Sequence, residues 1–182
     1  MNAAHHTRVS PQQLRELLSY NPLTGVALWR VRLESHFDNV ATCARWNTRY
    51  AGKIAGGVDK ATGYIRISVD NKHYALHRVI WAIMTGEWPP EVDHEDTDKL
   101  NNKWTNLRKA THSQNSANRV RQPNNTSGFK GVSWSASADK WRAYIVIEKK
   151  QIHLGNFDDI NDAKNAYKTA AKQKFGKFAR TT

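Results

Sequence analysis

The chain has 182 residues, a formal net charge of +12 and a pI near 10.0, which is room for one domain or two small ones. Its one cysteine, Cys43, excludes a disulfide framework or a cysteine-built zinc site within one chain. No apolar run approaches the ~18 residues of a membrane-spanning helix, and no charged-then-apolar leader opens the chain. A cytoplasmic protein without a membrane partner is therefore expected. The charge is shared, +5 on residues 1–120 and +7 on residues 121–182. Both parts of the chain thus favour an anionic polymer as partner. Seven tryptophans and 39% hydrophobic residues argue for folded cores.

Met1–Val9 reads as a frayed start. Ser10-Pro11 is an N-cap followed by a first-turn proline, with Leu14, Leu17 and Leu18 at helical spacing. Asn21-Pro22-Leu23-Thr24-Gly25 predicts a turn and Val26–Leu33 a strand. Glu34–Tyr50 has no clean period and reads as a loop. Tyr64–Val69 alternates as a strand, Asp70-Asn71 turns it and His73–Leu76 returns it. Val79, Ile80, Ile83 and Met84 fit a short helix that ends at Gly86. Trp88–His94 is a candidate strand, Asp96–Lys103 a polar turn and Thr105–Ala110 a returning strand. Thr111-x-x-Gln114 resembles a capping box that opens a helix carrying Asn115 and Asn118 on one face.

Residues 119–126 read as a basic linker. Beyond it, Lys130–Trp134, Trp141–Glu148 and Gln151–Leu154 predict three short antiparallel strands, the last two joined at Glu148-Lys149-Lys150. Asn161–Phe175 predicts a helix. Ala163, Ala166, Tyr167, Ala170 and Ala171 share one face of it, small enough to let it lie close on a sheet. The fold class expected is α+β.

Two sets of residues carry chemistry. Asp93 and His94 stand together, Asn106 follows twelve positions later, and Asn115 nine positions after that. An acid, an imidazole and two amides on strand, strand and helix suit metal-assisted phosphodiester hydrolysis. The carboxylate and an amide oxygen would hold a hard cation such as Mg²⁺, and the imidazole would take a proton from water. Asn106 would pin the hairpin loop. Asn118 is an alternative to Asn115. Arg78 suits a phosphate contact or a surface charge equally, and His112 reads as solvent-exposed. The second set interleaves Lys130, Lys140 and Arg142 with Trp134 and Trp141. It fits a DNA-binding sheet face as well as it fits a small core with surface lysines.

Val92-Asp93-His94, Asn106-Leu107-Arg108 and Asn115 resemble the HNH nuclease motif in its His-Asn-Asn form, set in a ββα-metal fold. Asn21–Gly25, Gly63-Tyr64 and His77-Arg78 resemble the regions that precede this motif in phage-type homing endonucleases. The resemblance implies Asp93 and Asn115 as metal ligands, His94 as general base and Asn106 as a structural residue. It implies one divalent metal ion, Mg²⁺ with Mn²⁺ as substitute. Ser127–Val132, Lys140–Ala143, Leu154–Phe157 and the alanine-rich helix are similar to an AP2-type DNA-binding domain, a three-stranded antiparallel sheet packed on one helix. That likeness implies Lys130, Ser133, Trp134, Lys140, Trp141 and Arg142 as contacts to double-stranded DNA. The expected organisation is a nuclease domain over 1–118 with its motif at about 88–120, then the linker, then an AP2-like domain over 127–182. The function expected is site-specific DNA cleavage of the homing type, in a bacterial host or phage-infected cell, by a monomer or a homodimer. The rivals are a non-catalytic AP2-type regulator and a nuclease acting on RNA.

Overall fold

The computed structural model describes residues 8–181, so most of the predicted frayed start lies outside the described residues. The chain divides into two compact units, one ending at Arg108 and one beginning at Lys109. The boundary falls earlier than the linker at 119–126, and the capped helix of the motif therefore belongs to the second unit. Among the described residues, no helix is long and apolar enough to cross a membrane.

The first unit opens with α1 (Pro11–Leu17), where the Ser10 hydroxyl accepts from the Gln13 N–H at 3.1 Å. Strands β1 (Leu18–Tyr20) and β2 (Ala27–Trp29) pair antiparallel across the Asn21–Gly25 turn. The strand predicted over Val26–Leu33 stops early. The Glu34–Tyr50 segment is not a loop. After a 3-10 turn at Glu34–His36 it forms α2 (Val40–Tyr50), capped by Asn39, whose side chain accepts from the Thr42 N–H at 2.9 Å. Cys43 is buried while Trp46 and Tyr50 are half-buried, so the inward stripe of α2 is only one row wide and its period is weak.

A small sheet follows, β3 (Gly57–Val58), β4 (Ile65–Val69) and β5 (Lys72–Ala75), in that spatial order. The turn between β4 and β5 uses Asp70 and Asn71 at φ 50° and 58°, the left-handed pair that a two-residue hairpin requires. Helix α3 (Leu76–Thr85) ends on Gly86 at φ 79°. Strands β6 (Glu91–His94) and β7 (Leu107–Ala110) form a two-stranded sheet. The core of this unit gathers Leu14, Leu18, Val69, Val79, Ile80 and Val92. Asn106 lies just before β7, in a 3-10 turn at Trp104–Asn106, and not on the strand itself. Its side chain bonds back into the loop, which pulls its backbone out of extended geometry.

In the second unit, α4 (His112–Asn118) carries the predicted capping box. The Thr111 hydroxyl accepts from the Gln114 N–H at 3.2 Å, and Gln114 Oε1 accepts from the Thr111 N–H at 2.8 Å. Strands β8 (Val132–Ser135), β9 (Lys140–Ile147) and β10 (Lys150–Phe157) form an antiparallel sheet in the order β10-β9-β8. Glu148 and Lys149 make the β9–β10 turn at φ 50° and 66°. β10 runs past the predicted Leu154 through a register shift between His153 and Gly155. Helix α5 (Ile160–Phe175), capped by Asp159, lays Ala163, Tyr167 and Ala171 into the cores shared with Val132, Ala143 and Ile145. Helix α4 joins the same unit through Ala117, packed with Tyr167 and Phe175.

Gly131 sits at φ 69° where the chain enters β8. A Cβ there would strike the Tyr167 ring and lie 2.5 Å from the Tyr144 carbonyl oxygen. Gly131→Ala combines left-handed strain with a backbone clash, so urea melts should show a loss of about 2–4 kcal/mol. A loss below about 0.5 kcal/mol would mean that this contact does not set how α5 meets the sheet.

Candidate active site

In the first unit the site begins with a buried ion pair. Asp93 and His94 end β6 and are 5% and 4% exposed, and Arg108 on β7 is 8% exposed. Arg108 donates through Nε and Nη2 to Asp93 Oδ2, both at 2.8 Å, while its Nη1 stands 3.5 Å from the exposed Glu95 carboxylate. A carboxylate removed from water needs such a partner, because an unpaired buried charge costs several kcal/mol.

The loop after His94 is closed by side-chain amides. Asn106 Nδ2 donates to Asp96 Oδ1 at 2.9 Å and to the Asn101 carbonyl at 2.8 Å, and Asn106 Oδ1 accepts from the Asp96 N–H at 3.0 Å. The Glu95 N–H reaches the Asn106 carbonyl at 2.9 Å, and the Thr97 N–H reaches the His94 carbonyl at 2.9 Å. Asn101 Nδ2 donates to Asp96 Oδ2 at 2.6 Å. Burial pushes the Asp96 carboxyl up, but the bonds from Asn101, Asn106 and the Asp98 N–H, with the charge of His94, outweigh it and hold Asp96 below the usual range.

His94 places Nε2 3.1 Å from Asn102 Oδ1. Its ring meets His77 edge-on at 4.9 Å and Tyr64 at 5.9 Å. Burial lowers the His94 pKa, opposed by the Asn102 bond and by Asp96, Asp93 and Asp98. His77 is pushed down to about 3, first by burial and then by the charges of His94 and Arg78. Arg78 turns its guanidinium to the Pro89 and Pro90 carbonyls, at 3.0 and 3.3 Å, and so braces the entry to β6.

Asp93, His94 and Asn106 thus share one hydrogen-bonded hairpin. Asn115 and Asn118 stand three residues apart on α4 in the second unit, half-buried and buried respectively. Among the described residues, no three His, Cys, Asp or Glu side chains gather as a metal-binding group. The Asp93 carboxylate is a hard oxygen donor, of the kind that suits Mg²⁺ or Mn²⁺ and not a thiophilic metal. Arg108, Asn102, His77 and Tyr64 join the site without having been singled out by residue type or spacing. Arg108 had a signal, an Arg on the strand predicted to return beside Asp93. Asn102 stood in a polar run with no period.

The second unit carries a sheet surface. Ser133, Arg142 and Asn156 lie opposite one another on β8, β9 and β10, and Tyr144 lies opposite His153. Their neighbours Val132, Ala143 and Ile145 face α5, so this row faces away from the helix. Trp134 and Trp141 lie opposite each other, share the α5 side with Val132 and Ala143, and meet edge-on at 5.1 Å. Trp134 is nevertheless 48% exposed. Lys140 pairs with Asp158 at 3.1 Å. Lys130 donates its ammonium to the Ala117 and Arg119 carbonyls at the end of α4, and burial lowers its pKa to about 8.

A strand ending in a buried Asp-His pair, an amide-closed loop, a returning strand and, next in sequence, a capped helix are consistent with an HNH-like domain. The HNH endonuclease family profile matches residues 74–117. Protein 3.8 of Escherichia phage T7 is 35% identical over 106 residues, 57% of this chain and 87% of that protein. An uncharacterised HNH endonuclease of Acanthamoeba polyphaga mimivirus is 35% identical over 116 residues, 62% of this chain but only 59% of that protein. No solved structure matches the chain significantly. Residues 74–117 are thus an HNH-type endonuclease domain related to those of phage and mimivirus proteins.

His77 makes the fold acid-sensitive. Its folded pKa of about 3 lies below the unfolded value of about 6.5. Its contribution is intact above about 6.5 and is lost as pH falls toward 3, because only the unfolded chain takes the proton. Stability should therefore drop by about 2 kcal/mol between pH 7 and 5 from this group. Urea melts of His77→Phe should show a pH dependence weaker by that amount, and an unchanged slope would contradict the buried neutral ring.

Proposed function

We propose that this protein is a site-specific DNA endonuclease of the homing type that hydrolyses phosphodiester bonds with one divalent metal ion. The observation that carries the reading is the Asp93-His94 pair, buried at the end of β6 and framed by Arg108 and the Asn106 loop. The HNH endonuclease match over residues 74–117 supports it. His94 is the base that takes a proton from water, a task for which an imidazole kept largely neutral is suited. Asp93 would hold the cation together with Asn115, with Asn118 as the alternative. A cation there supplies charge neutralisation for the phosphate as negative charge develops. Arg108 orients the Asp93 carboxylate, and Asn106 fixes the loop that carries His94.

Cleavage of supercoiled plasmid tests this reading and separates a single-strand nick from a double-strand break. EDTA should abolish cleavage, and Mg²⁺ or Mn²⁺ should restore it. His94→Ala should lower the rate by about 10²–10⁴-fold while DNA binding persists. A His94→Ala chain that cuts near the wild-type rate would remove His94 from the mechanism. A wild-type chain that binds duplex DNA but never cuts it would favour the regulator.

The second unit is the proposed DNA-reading module, of AP2 type, in which the outward row of the sheet lies in the major groove. Its sheet-on-helix architecture and positive charge support this. Arg142 would meet a base edge, with Ser133 opposite it on β8 and Lys140 at the strand's start. The half-exposed Trp134, backed by Trp141, offers an apolar surface at the sheet margin. In the full chain, binding should weaken with salt, with a log–log slope of about −0.9 per phosphate neutralised. Arg142→Ala should cost about 1–3 kcal/mol at one position of the target. Lys130→Met should leave the salt slope unchanged, because that ammonium rests on the Ala117 and Arg119 carbonyls. A slope reduced by about one would instead make Lys130 a phosphate contact.

A further inference from the structure

We propose that Asn102 is a positioning residue for His94, one that fixes which ring nitrogen of His94 carries the proton. This rests on the reading of His94 as the base and specifies how that base is presented.

Asn102 is 2% exposed, among the most deeply buried of the large side chains, although it stands in a polar loop. A buried amide is retained where its hydrogen bonds are made. Its Nδ2 donates to the Leu100 carbonyl, a long bond at 3.4 Å, and its Oδ1 stands 3.1 Å from His94 Nε2. The reversed amide would set an oxygen against the Leu100 carbonyl oxygen, so the network itself orients the group. An amide oxygen only accepts. His94 Nε2 must therefore carry the hydrogen, and in the neutral ring the lone pair falls on Nδ1. Nδ1 is then the atom that takes a proton, and the Asn102 bond sets the angle at which it is offered.

The rest of the unit holds Asn102 still. Tyr20 donates its hydroxyl to the Asn102 carbonyl at 2.8 Å, and burial raises the Tyr20 pKa to about 12, so it stays a donor. The Trp104 N–H donates to the Pro22 carbonyl at 3.0 Å. Gly25, at φ 77°, lies so close that a Cβ would stand 2.6 Å from the Asn102 carbonyl carbon and the Lys103 nitrogen. Asn21 Oδ1 accepts from the Leu23 and Thr24 N–H groups at 2.9 and 3.2 Å and keeps this turn in shape. The Asn21–Gly25 turn is thus a mould for the backbone of Asn102. The His77 and Tyr64 rings, 4.9 and 5.9 Å from the His94 ring, limit its rotation.

Two measurements on the full chain test this. In the wild type, a long-range ¹H–¹⁵N spectrum at about pH 8, where an ordinary histidine is neutral, should show His94 as one tautomer protonated on Nε2. Asn102→Leu, close in volume but without an acceptor, should give a mixed tautomer. It should also lower kcat for duplex cleavage by about 10–100-fold with KM within about twofold, the scale of a misplaced catalytic group. Asn102→Asp restores the acceptor and should recover kcat to within about tenfold of wild type. A wild-type ring protonated on Nδ1 overturns the proposal even if both variants fail to fold. So does a folded Asn102→Leu chain with unchanged kcat. A wild type that never cleaves duplex DNA overturns the nuclease reading itself, an outcome distinct from a cleaving enzyme that is indifferent to Asn102.

Discussion

The charge pair between Asp93 and Arg108 is the contact on which the first unit's site depends. Both partners are almost out of water, so neither tolerates loss of the other. Arg108 reaches Asp93 from the adjacent strand, and the pair therefore fixes how β7 stands against β6. That in turn sets the gap that the loop between His94 and Asn106 spans, and the Asn106 amide closes it. An apolar pair would hold two strands together as well. It would not leave a carboxylate at the end of a strand beside an imidazole, the combination on which the proposed hydrolysis rests.

Around that pair the loop is held by amides far more than by apolar contact. Asn101, Asn102 and Asn106 supply donors and acceptors at fixed geometry without adding charge. A loop built this way keeps its shape while the Asp96 carboxyl, held below its usual range by its amide partners, stays ionised near His94. The second unit solves a different problem, with a sheet that buries one face on α5 and turns polar and cationic side chains outward. Its small core relies on alanines and on Gly131 to bring helix and sheet together. The capped helix α4 packs into this core through Ala117, and Lys130 ties its last carbonyls.

Much of this was legible in the sequence where a local rule decides the structure. The Ser10 cap, the Asp70-Asn71 turn, the Gly86 helix end and the Thr111–Gln114 capping box each depend on a few neighbouring residues, and each stands as read. Helix α2 was missed because its buried stripe is narrow and its other positions are small or polar. The cap at Asn39 was the one usable signal. Asn102 was illegible because a buried amide in a polar loop has the same letters as a solvated one, and only the partner, His94, distinguishes them. Lys130 read as a cation for phosphate, since nothing local says that its ammonium turns back onto α4. The sides taken by Trp134 and Trp141 depend on the register of β8 against β9, which alternation alone leaves open.

The most direct measurement is plasmid cleavage in Mg²⁺ by the double variant Asp93→Asn/Arg108→Leu, with folding checked by thermal melting. Replacing both charges removes the buried pair without stranding either partner, so the chain should still fold cooperatively. The account predicts that this folded protein cleaves at least about 100-fold more slowly than the wild type, the scale of losing a group that acts in the transition state. A folded double variant that cuts at the wild-type rate would contradict it, because Asp93 would then serve the fold and not the chemistry.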